Sequence, residues 1–211
     1  MSNLVFNTLS GVAAPMLQKN IDTDAIMPSR EMQRVSREGL GQGLFAARRY
    51  IDRGGVNEKL NPDFVLNQPQ YSDTSILLTG ANMGCGSSRE FAVWALVDFG
   101  IRAIIAPSFG SIFHTNCIRN GLLPIVLDAA TISHLADQVA VNPQQQRLTI
   151  DLAARAITDP SGKEYSFEIQ SLHRQMLMEG LDSIDITLAS LDEIDAFESS
   201  ARETRPWMYL R

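Results

Sequence analysis

The chain has 211 residues, of which 45% are hydrophobic and 20% charged, and its net charge is −6 at pH 7. Its length and composition are those of an ordinary globular protein, and no linker long or polar enough to separate two domains interrupts it, so we expect a single domain over residues 1–211. The acidic charge argues against nucleic-acid binding, which needs a basic patch. No apolar run is long enough for a membrane span, and the N-terminus lacks the basic flank of a secretory signal, which predicts a cytoplasmic protein without a membrane partner.

Metal-binding residue types are scarce in the sequence. Cys85 and Cys117 are the only cysteines, and the three histidines, His114, His134 and His173, are not spaced as a ligand pair. In a reducing compartment this pattern predicts neither a disulfide nor an intrinsic zinc or iron–sulfur site. We expect no metal in this chain, so any metal chemistry must come from elsewhere, and we assign His114 no functional role.

The first 70 residues contain many turn formers, and we expect them to form loops joining short strands and helical turns. From residue 75 to 127 the pattern alternates between strand and helix. The predicted elements are strand "SILLT", helix "SREFAVWALVDFG", strand "RAIIAP", helix "GSIFHTNCIRNG" and strand "LLPIVL". This alternation predicts right-handed crossovers and an α/β fold with a largely parallel central sheet.

The remaining chain predicts additional elements around that sheet. A helix over "AATISHLADQVAV" precedes two strand segments, "RLTIDLAARAIT" and "KEYSFEI", which are joined by a turn at "DPSG". Two helical segments follow, "SLHRQMLMEGLDSI" and "SLDEIDAFESSA", and Ser190 with Glu193 has the spacing of a capping box.

The stretch "GANMGCGSSREFAVWAL", residues 80–96, joins the first of these strands to its helix. Glycines followed by two serines and Arg89 at a helix start are suited to hold an anion, because free backbone N–H groups and the helix dipole attract negative charge. Ser87 and Glu90 also have the spacing of a capping box, which would explain both residues by structure alone. The pattern leaves both interpretations open.

Several known ligand and catalytic motifs do not fit this stretch. The dinucleotide fingerprint fails because its last glycine is replaced by Arg89, and the P-loop fails because Ser87 stands where a lysine is required. The lipase motif fails at Glu90, and Cys85 has no histidine that the sequence places nearby. Small carboxylates therefore remain the best candidates for a bound anion.

Four separated blocks then identify a resemblance: "NIDTDAIMP", "GCGSSRE" followed by "WAL", "IIAPSFGSIFHTNCIRNGLLPIVL" and "GLDSIDITL". Together they resemble the small subunits of 3-isopropylmalate dehydratases, over roughly residues 4–198. That family is homologous to the swivelling domain of aconitase. The resemblance implies a single swivelling β/β/α domain with a largely parallel central sheet and additional strands.

What the resemblance implies about activity is a two-subunit hydro-lyase of leucine biosynthesis, which interconverts 2- and 3-isopropylmalate through the dehydrated alkene. The large subunit of that family carries a [4Fe–4S] cluster, so a large cluster-bearing partner and a small dicarboxylate substrate are expected. By position in the motif, Ser87 is similar to the family's catalytic base. Ser88 and Arg89 match residues that bind a substrate carboxylate.

The loop "DTDAIMPSREMQRVSREG" lies where the family contacts its substrate. Arg37 is expected to pair with a second carboxylate, whereas Arg34 is expected to be a solvated charge. Asp22 and Asp24 are expected to organise the loop through hydrogen bonds to its backbone. Apolar residues of the loop face either an isopropyl group or the core; these are Met27, Met32, Val35 and Leu40.

Three positions depart from the family pattern. Phe91 replaces a histidine after the Arg-Glu pair, Glu31-Met32 replaces an aromatic-aliphatic pair, and "FAARRY" lacks a tryptophan. These departures keep other substrates open, such as dimethylmalate or citramalate. A non-catalytic anion-binding module also stays open as an alternative function.

Overall fold

The computed structural model describes residues 5–32, 36–87 and 89–209. Nine strands are formed by these residues. They are β1 (Thr8–Met16), β2 (Tyr50–Ile51), β3 (Lys59–Leu60), β4 (Thr74–Thr79), β5 (Ala103–Ala106), β6 (Leu123–Val126), β7 (Leu148–Asp151), β8 (Ala156–Thr158) and β9 (Glu164–Ser166). Strands β2 and β3 pair as a separate antiparallel hairpin, and the other seven form one sheet.

The large sheet has the strand order β6-β5-β4-β1-β7-β8-β9. Strands β1, β4, β5 and β6 are parallel to one another, and β7, β8 and β9 add an antiparallel extension on the other side of β1. The predicted α/β class, with a parallel core and additional strands, is therefore confirmed. The carboxyl ends of the four parallel strands meet at one edge, where sheets of this kind usually bind ligands.

Strand β1 lies at the centre of the sheet, although the sequence analysis expected only loops and short strands before residue 70. The short strands β2 and β3 fit that expectation, but β1 was missed because "TLSGVAAPM" is built largely from residues with low strand propensity. At Gly11 a Cβ atom would come within 1.9 Å of the Ser75 hydroxyl, so a larger residue would require Ser75 to move. Pro15 lies beyond the pairing with β7, which ends at Gly11, so its missing N–H group breaks no bond to that strand.

Eight α-helices are present in the described residues. They are α1 (Thr23–Ile26), α2 (Ala46–Arg49), α3 (Glu90–Phe99), α4 (Ser111–Arg119), α5 (Ala129–Ala140), α6 (Ser171–Glu179), α7 (Ser183–Ala189) and α8 (Leu191–Thr204). Helix α3 packs on one face of the sheet, whereas α5 and α6 pack on the other. No helix of these described segments is both long and apolar enough to cross a membrane.

The sheet is buried on both faces because successive side chains of its strands point to opposite sides. Leu77 and Ile104 face the cluster formed with α3, and Ile76 and Ile105 face the cluster formed with α5 and α6. All four side chains are fully buried. Burial on both faces explains why "SILLT" and "AIIA" read as continuous apolar runs in the sequence.

Three details of the C-terminal third differ from the sequence prediction. The segment "RLTIDLAARAIT" is two strands, β7 and β8, since Arg155 takes a left-handed conformation (φ 57°) in the turn between them. The helix predicted over "SLHRQMLMEGLDSI" is interrupted at Gly180 (φ 69°) and continues as α7. The capping box predicted at Ser190 is wrong: its side chain caps nothing, and Asp182 with Asp185 forms a capping box on α7 instead.

The predicted turn at Asp159-Pro160-Ser161-Gly162 is confirmed between β8 and β9, and its Asp159 side chain is buried. One carboxylate oxygen accepts hydrogen bonds from the Ser161 N–H at 2.8 Å, the Ser161 hydroxyl at 2.6 Å and the Lys163 N–H at 3.0 Å. Burial opposes ionisation of this carboxyl, but the hydrogen bonds from Ser161 and Lys163 outweigh it and lower the pKa to about 2.

Asp159→Asn should therefore lower the free energy of unfolding at pH 7 by about 1–3 kcal/mol, because the replacement keeps the shape but loses charge-assisted hydrogen bonds. A carboxyl with a depressed folded-state pKa stabilises above the unfolded value of about 3.9 and loses this contribution as the pH falls towards the folded value. The stability difference between the wild type and the variant, measured by urea unfolding, should shrink from pH 5 to pH 2. A difference that stays constant over this range would contradict the assignment.

Candidate functional site

The turn that follows β4 is bound by backbone hydrogen bonds to the loop that follows β1. The Gly84 N–H donates to the Ile21 carbonyl at 2.7 Å, and the Thr23 N–H donates to the Cys85 carbonyl at 2.9 Å. The two segments thereby continue the parallel pairing of β1 and β4 past the ends of both strands. Cys85 serves this contact through its backbone.

The loop that follows β5 holds the same turn from the other side. The Met83 N–H donates to the Ser108 carbonyl at 3.0 Å, and the Gly110 N–H donates to the Met83 carbonyl at 2.9 Å. Gly84 takes a left-handed conformation (φ 71°), and a Cβ atom there would lie 2.0 Å from the Phe113 ring of α4. Gly84 is therefore required for packing against α4 rather than for the approach of a ligand.

Ser87 lies at the solvent-exposed end of this turn, just before α3. Its backbone carbonyl accepts hydrogen bonds from the Thr23 hydroxyl at 2.9 Å and the Arg89 N–H at 2.8 Å, which fixes the position of the residue. Its hydroxyl has no recorded partner among the described residues. Ser88 lies outside the described residues, so its predicted role stays a prediction.

The capping box considered for Ser87 and Glu90 is not formed. Arg89 is the N-cap of α3 and makes no capping hydrogen bond with its side chain. The Glu90 carboxylate instead accepts a hydrogen bond from the Asn120 amide at 2.8 Å, across to the end of α4. Capping therefore does not account for Ser87, and among the described residues no side chain caps the first turn of α3.

The Arg89 side chain reaches the loop that follows β1 and forms an ion pair with a carboxylate of that loop. Its Nη1 donates to the Asp24 carboxylate and to the Ser29 hydroxyl at 2.8 Å. The Ser29 hydroxyl in turn lies 3.4 Å from the same Asp24 oxygen. The Arg89 side chain is 27% exposed and that of Asp24 57% exposed, so this ion pair is open to solvent and to a competing anion.

The two aspartates of the loop have different contacts. Asp22 is the N-cap of α1, where its side chain accepts a hydrogen bond from the Ala25 N–H at 2.6 Å, a contact to the backbone as expected. Asp24 was expected to bind backbone groups as well, but its recorded contacts are with the Arg89 and Ser29 side chains. The difference arises because Asp24 lies inside α1, where the next N–H groups along the chain, those of Ile26 and Met27, already donate to backbone carbonyls.

Arg37 stacks on α3 rather than joining Arg89 directly. Its guanidinium carbon lies 4.2 Å from the centre of the Trp94 ring, a cation–π contact. Trp94 is held in place by the Phe91 ring, 4.8 Å away, and by a 2.9 Å hydrogen bond from its indole N–H to the Asn120 side chain. Trp94 comes five residues after Arg89, so its Cα lies about 7.5 Å further along the helix axis.

The apolar residues of the loop that the structure describes pack in the core. Met27 and Leu40 are fully buried, and Met32 packs partly against the same cluster. Their burial favours the core alternative over contact with a substrate. Arg34 and Val35 lie outside the described residues.

No group of three or more histidine, cysteine or acidic side chains in residues 5–32, 36–87 and 89–209 is arranged to hold a metal ion. Cys117 is completely buried, and burial raises the pKa of its thiol well above the usual range, so this sulfur is neither exposed nor readily ionised. His114 is half-buried, and its pKa is lowered by burial and by nearby His173.

The sequence analysis did not single out Ser29. It follows Pro28 and begins a short 3-10 turn, Ser29–Glu31, which brings its hydroxyl to Arg89 from 60 residues away. No local pattern marks such a residue, because its role depends on a contact between two distant loops.

Comparison with known proteins places this architecture in the aconitase superfamily. Residues 3–130 match the family model of the aconitase C-terminal domain, and residues 133–171 match a model described as LeuD_N. Residues 183–210 match the model of the C-terminal domain of the 3-isopropylmalate dehydratase small subunit. The class of protein defined by the fold and the site is therefore a domain of the aconitase C-terminal type.

Full-length relatives narrow this class. The chain is 56% identical to the 3-isopropylmalate dehydratase small subunit of Cupriavidus necator over 97% of both chains, and 48% identical to that of Marinobacter nauticus over 97% of both. A crystal structure of 3-isopropylmalate dehydratase (leuD) from Methanocaldococcus jannaschii matches with a TM-score of 0.63 at 26% identity, covering 92% of this chain and 98% of that one. The chain belongs to the family of 3-isopropylmalate dehydratase small subunits, as the sequence resemblance indicated.

Replacing Gly84 should disrupt the turn on which the site depends. Gly84→Ala combines an unfavourable left-handed conformation with a clash against the Phe113 ring, and we expect it to cost about 3 kcal/mol or more of stability. Gly162→Ala is the matched control, because Gly162 has a similar φ of 88° but open space around it, and it should cost about 1 kcal/mol. Thermal and urea unfolding of both variants compare the two costs, and equal losses would contradict the packing role of Gly84.

Proposed function

We propose that this chain is the small subunit of a two-subunit hydro-lyase in the cytoplasm, which interconverts 2-isopropylmalate and 3-isopropylmalate in leucine biosynthesis. The observation that carries the proposal is the pairing of Arg89 with the Asp24 carboxylate, two residues along the chain from the exposed residue Ser87. An arginine that can hold a carboxylate next to a group able to move a proton is the minimum needed to act on a hydroxy-diacid. The family assignment supports this reading of the site.

Ser87 is proposed to remove the proton from the carbon beside a substrate carboxylate during dehydration and to return it during hydration. A serine hydroxyl is a weak base near neutral pH, so its alkoxide needs stabilisation. Three features support this: the first turn of α3, whose N-cap Arg89 makes no capping hydrogen bond, the positive charge of Arg89, and the hydrogen bonds to the Ser87 carbonyl from Thr23 and Arg89 that fix the turn. Closure of the partner subunit over the exposed site would exclude water.

Arg89 is proposed to bind the carboxylate adjacent to the carbon that loses its proton. As the proton leaves, negative charge moves onto this carboxylate, so the guanidinium stabilises the transition state more than the bound substrate. Ser88 is proposed to assist at the same carboxylate and Arg37 to bind the second one. The stacking of Arg37 on Trp94 leaves the edge of its guanidinium available for such a contact.

This chain does not itself provide the ligands of an iron–sulfur cluster. A [4Fe–4S] cluster is held by several cysteine thiolates, whereas the chain has two cysteines, one of which is buried in the core. We therefore propose that the cluster lies in the large subunit, where it would supply the Lewis acid that polarises the leaving hydroxyl. The residues of this chain would then bind the substrate and move its proton.

The test is to reconstitute the chain anaerobically with the large subunit from the same organism and to assay the hydration of 2-isopropylmaleate, with citramalate and dimethylmalate as competing substrates. The pair should be active and each subunit alone inactive. Ser87→Ala should lower kcat by about 10²–10⁴-fold and leave KM nearly unchanged, because the hydroxyl acts in the transition state. No turnover by the wild-type pair, or full turnover by the variant, would refute the proposal.

Asp24 and the substrate carboxylate should compete for Arg89. Arg89→Gln removes the binding group and should raise KM by about 10–100-fold, and it should also lower kcat because the guanidinium stabilises the transition state more than the bound substrate. Asp24→Asn removes the competitor; since an exposed ion pair stabilises by about 1 kcal/mol or less, KM should fall by only about two- to fivefold. Steady-state kinetics of the reconstituted enzyme measure both effects. A higher KM in Asp24→Asn would show that Asp24 supports substrate binding instead.

A further inference from the structure

The short turn Ser29–Glu31 connects the candidate site to a second group of charges. At its start, the Ser29 hydroxyl binds Arg89. At its end, Glu31 accepts two hydrogen bonds from Arg53, one from Nε at 3.1 Å and one from Nη2 at 3.0 Å. The turn is only three residues long, so its own backbone hydrogen bonds cannot determine its position, and contacts at its ends must do so.

The Glu31–Arg53 pair is well shielded for an ion pair. The Glu31 side chain is 13% exposed and that of Arg53 19% exposed, and the bidentate geometry fixes both side chains in orientation as well as in distance. By contrast, the ion pair of Arg89 with Asp24 is more exposed and joins through one guanidinium nitrogen. The Glu31–Arg53 pair is therefore the stronger restraint of the two on the turn.

Arg53 is itself held on the β2–β3 hairpin. Its Nη1 donates to the Glu58 carboxylate at 2.6 Å, and its guanidinium carbon lies 4.3 Å from the centre of the Tyr50 ring. The second Glu58 oxygen accepts the Gly54 N–H at 2.7 Å, which ties this carboxylate to the hairpin turn. Arg53 is thus positioned by the hairpin before it contacts Glu31.

The far side of Glu31 is also packed. A Cβ atom at Gly43 would come within 2.8 Å of the Glu31 Cβ and 3.0 Å of the Met27 methyl group, so Gly43 leaves just enough room for the Glu31 side chain. Glu31 is confined between Gly43 on one side and Arg53 on the other. This gives a structural partner to a residue that departs from the family pattern.

We propose that Glu31 and Arg53 are positioning residues, which fix the turn Ser29–Glu31 so that Ser29 holds the Arg89 guanidinium where it binds the substrate carboxylate. This inference rests on the proposed function, since it assumes that Arg89 binds substrate. Loss of either charge breaks the bidentate contact that holds the turn to the hairpin, although Arg53 keeps its contact with Glu58 and Glu31 keeps the more exposed one with Arg30. Arg89 then samples more orientations, and binding the substrate must restrict them again.

The experiment uses the reconstituted two-subunit enzyme with Glu31→Gln, Arg53→Gln and the double variant. Each single variant should raise KM for 3-isopropylmalate about five- to twentyfold and lower kcat by a smaller factor, because Arg89 keeps its charge but must be oriented again when the substrate binds. The double variant should have the KM of the single variants rather than the product of their effects, since both break one contact. Glu168→Gln, which removes an exposed pair with Arg155 far along the sequence, is the control and should leave both parameters unchanged.

Three outcomes would overturn the inference. One is an unchanged KM in both single variants. The second is a fall in kcat at least as large as the rise in KM, together with a loss of thermal stability, which would indicate general structural damage. The third is a double variant whose effects on KM multiply, because the two residues would then act independently. Glu31 and Arg53 lie on different elements. If one single variant fails to fold, the KM of the other variant still tests the inference.

A readout that needs no activity separates this inference from the proposed function. The N–H groups of Glu31 and Met32 are bonded within the turn at 2.9 and 3.2 Å, and their hydrogen exchange should be about five- to tenfold faster in Glu31→Gln. Exchange in β4 and α3 should not change. If the wild-type enzyme turns over no malate derivative, the proposed function fails. Independently of activity, unchanged hydrogen exchange at the Glu31 and Met32 N–H groups in Glu31→Gln would refute the positioning role.

Discussion

The pairing of the β4–α3 turn with the loops after β1 and β5 is the constraint on which the rest of the site depends. Four backbone hydrogen bonds hold this turn, and the glycine at its bend is packed against an aromatic ring with no space for a side chain. Backbone bonds of this kind continue the register of the sheet into the loops. The position of Ser87 is therefore set by the sheet itself, which is the most rigid part of the molecule.

The electrostatics of the site follow a different principle. Arg89 is held by contacts that can be exchanged, because Asp24 offers it the same group that a diacid substrate would offer. Pairing with a half-exposed carboxylate keeps the guanidinium oriented before a ligand binds, and the pair is weak enough to be exchanged. The site combines a fixed backbone with an interchangeable ion pair, and this combination suits reversible binding of a carboxylate.

Much of the fold could be predicted from the sequence because burial on both faces leaves a clear pattern. "SILLT", "AIIA" and the helices between them are recognisable from apolar runs and from Gly100 at a helix end. β1 could not be recognised, since its small residues are chosen by close contact with β4, which is more than 60 residues away. The capping box predicted at Ser190 and the one considered at Ser87 are both absent for a related reason. Local spacing allows a cap but does not require it, and Glu90 has a tertiary partner instead.

The site shows the same division between local and distant information. The motif around Ser87 and Arg89 is contiguous, so its location at a strand–helix junction could be predicted from spacing alone. Ser29, Glu31 and Arg53 come together only in three dimensions, and nothing in the sequence near any of them indicates the others. Their contacts also give Glu31 a charged partner in a loop where the sequence resemblance leads us to expect an aromatic-aliphatic pair.

The region around Phe91 illustrates how such a departure from the family pattern can be absorbed. A histidine at this position could donate a hydrogen bond, whereas the Phe91 ring packs against the Trp94 ring. Trp94 in turn makes a cation–π contact with the Arg37 guanidinium. The ordering of Arg37 thus depends on stacking and on the hydrogen bond from Trp94 to Asn120. Stacking on an aromatic ring restrains the plane of a guanidinium and leaves its edge free. The charge of Arg37 therefore stays available for a ligand, although Phe91 supports Trp94 by ring packing where a histidine could form a hydrogen bond.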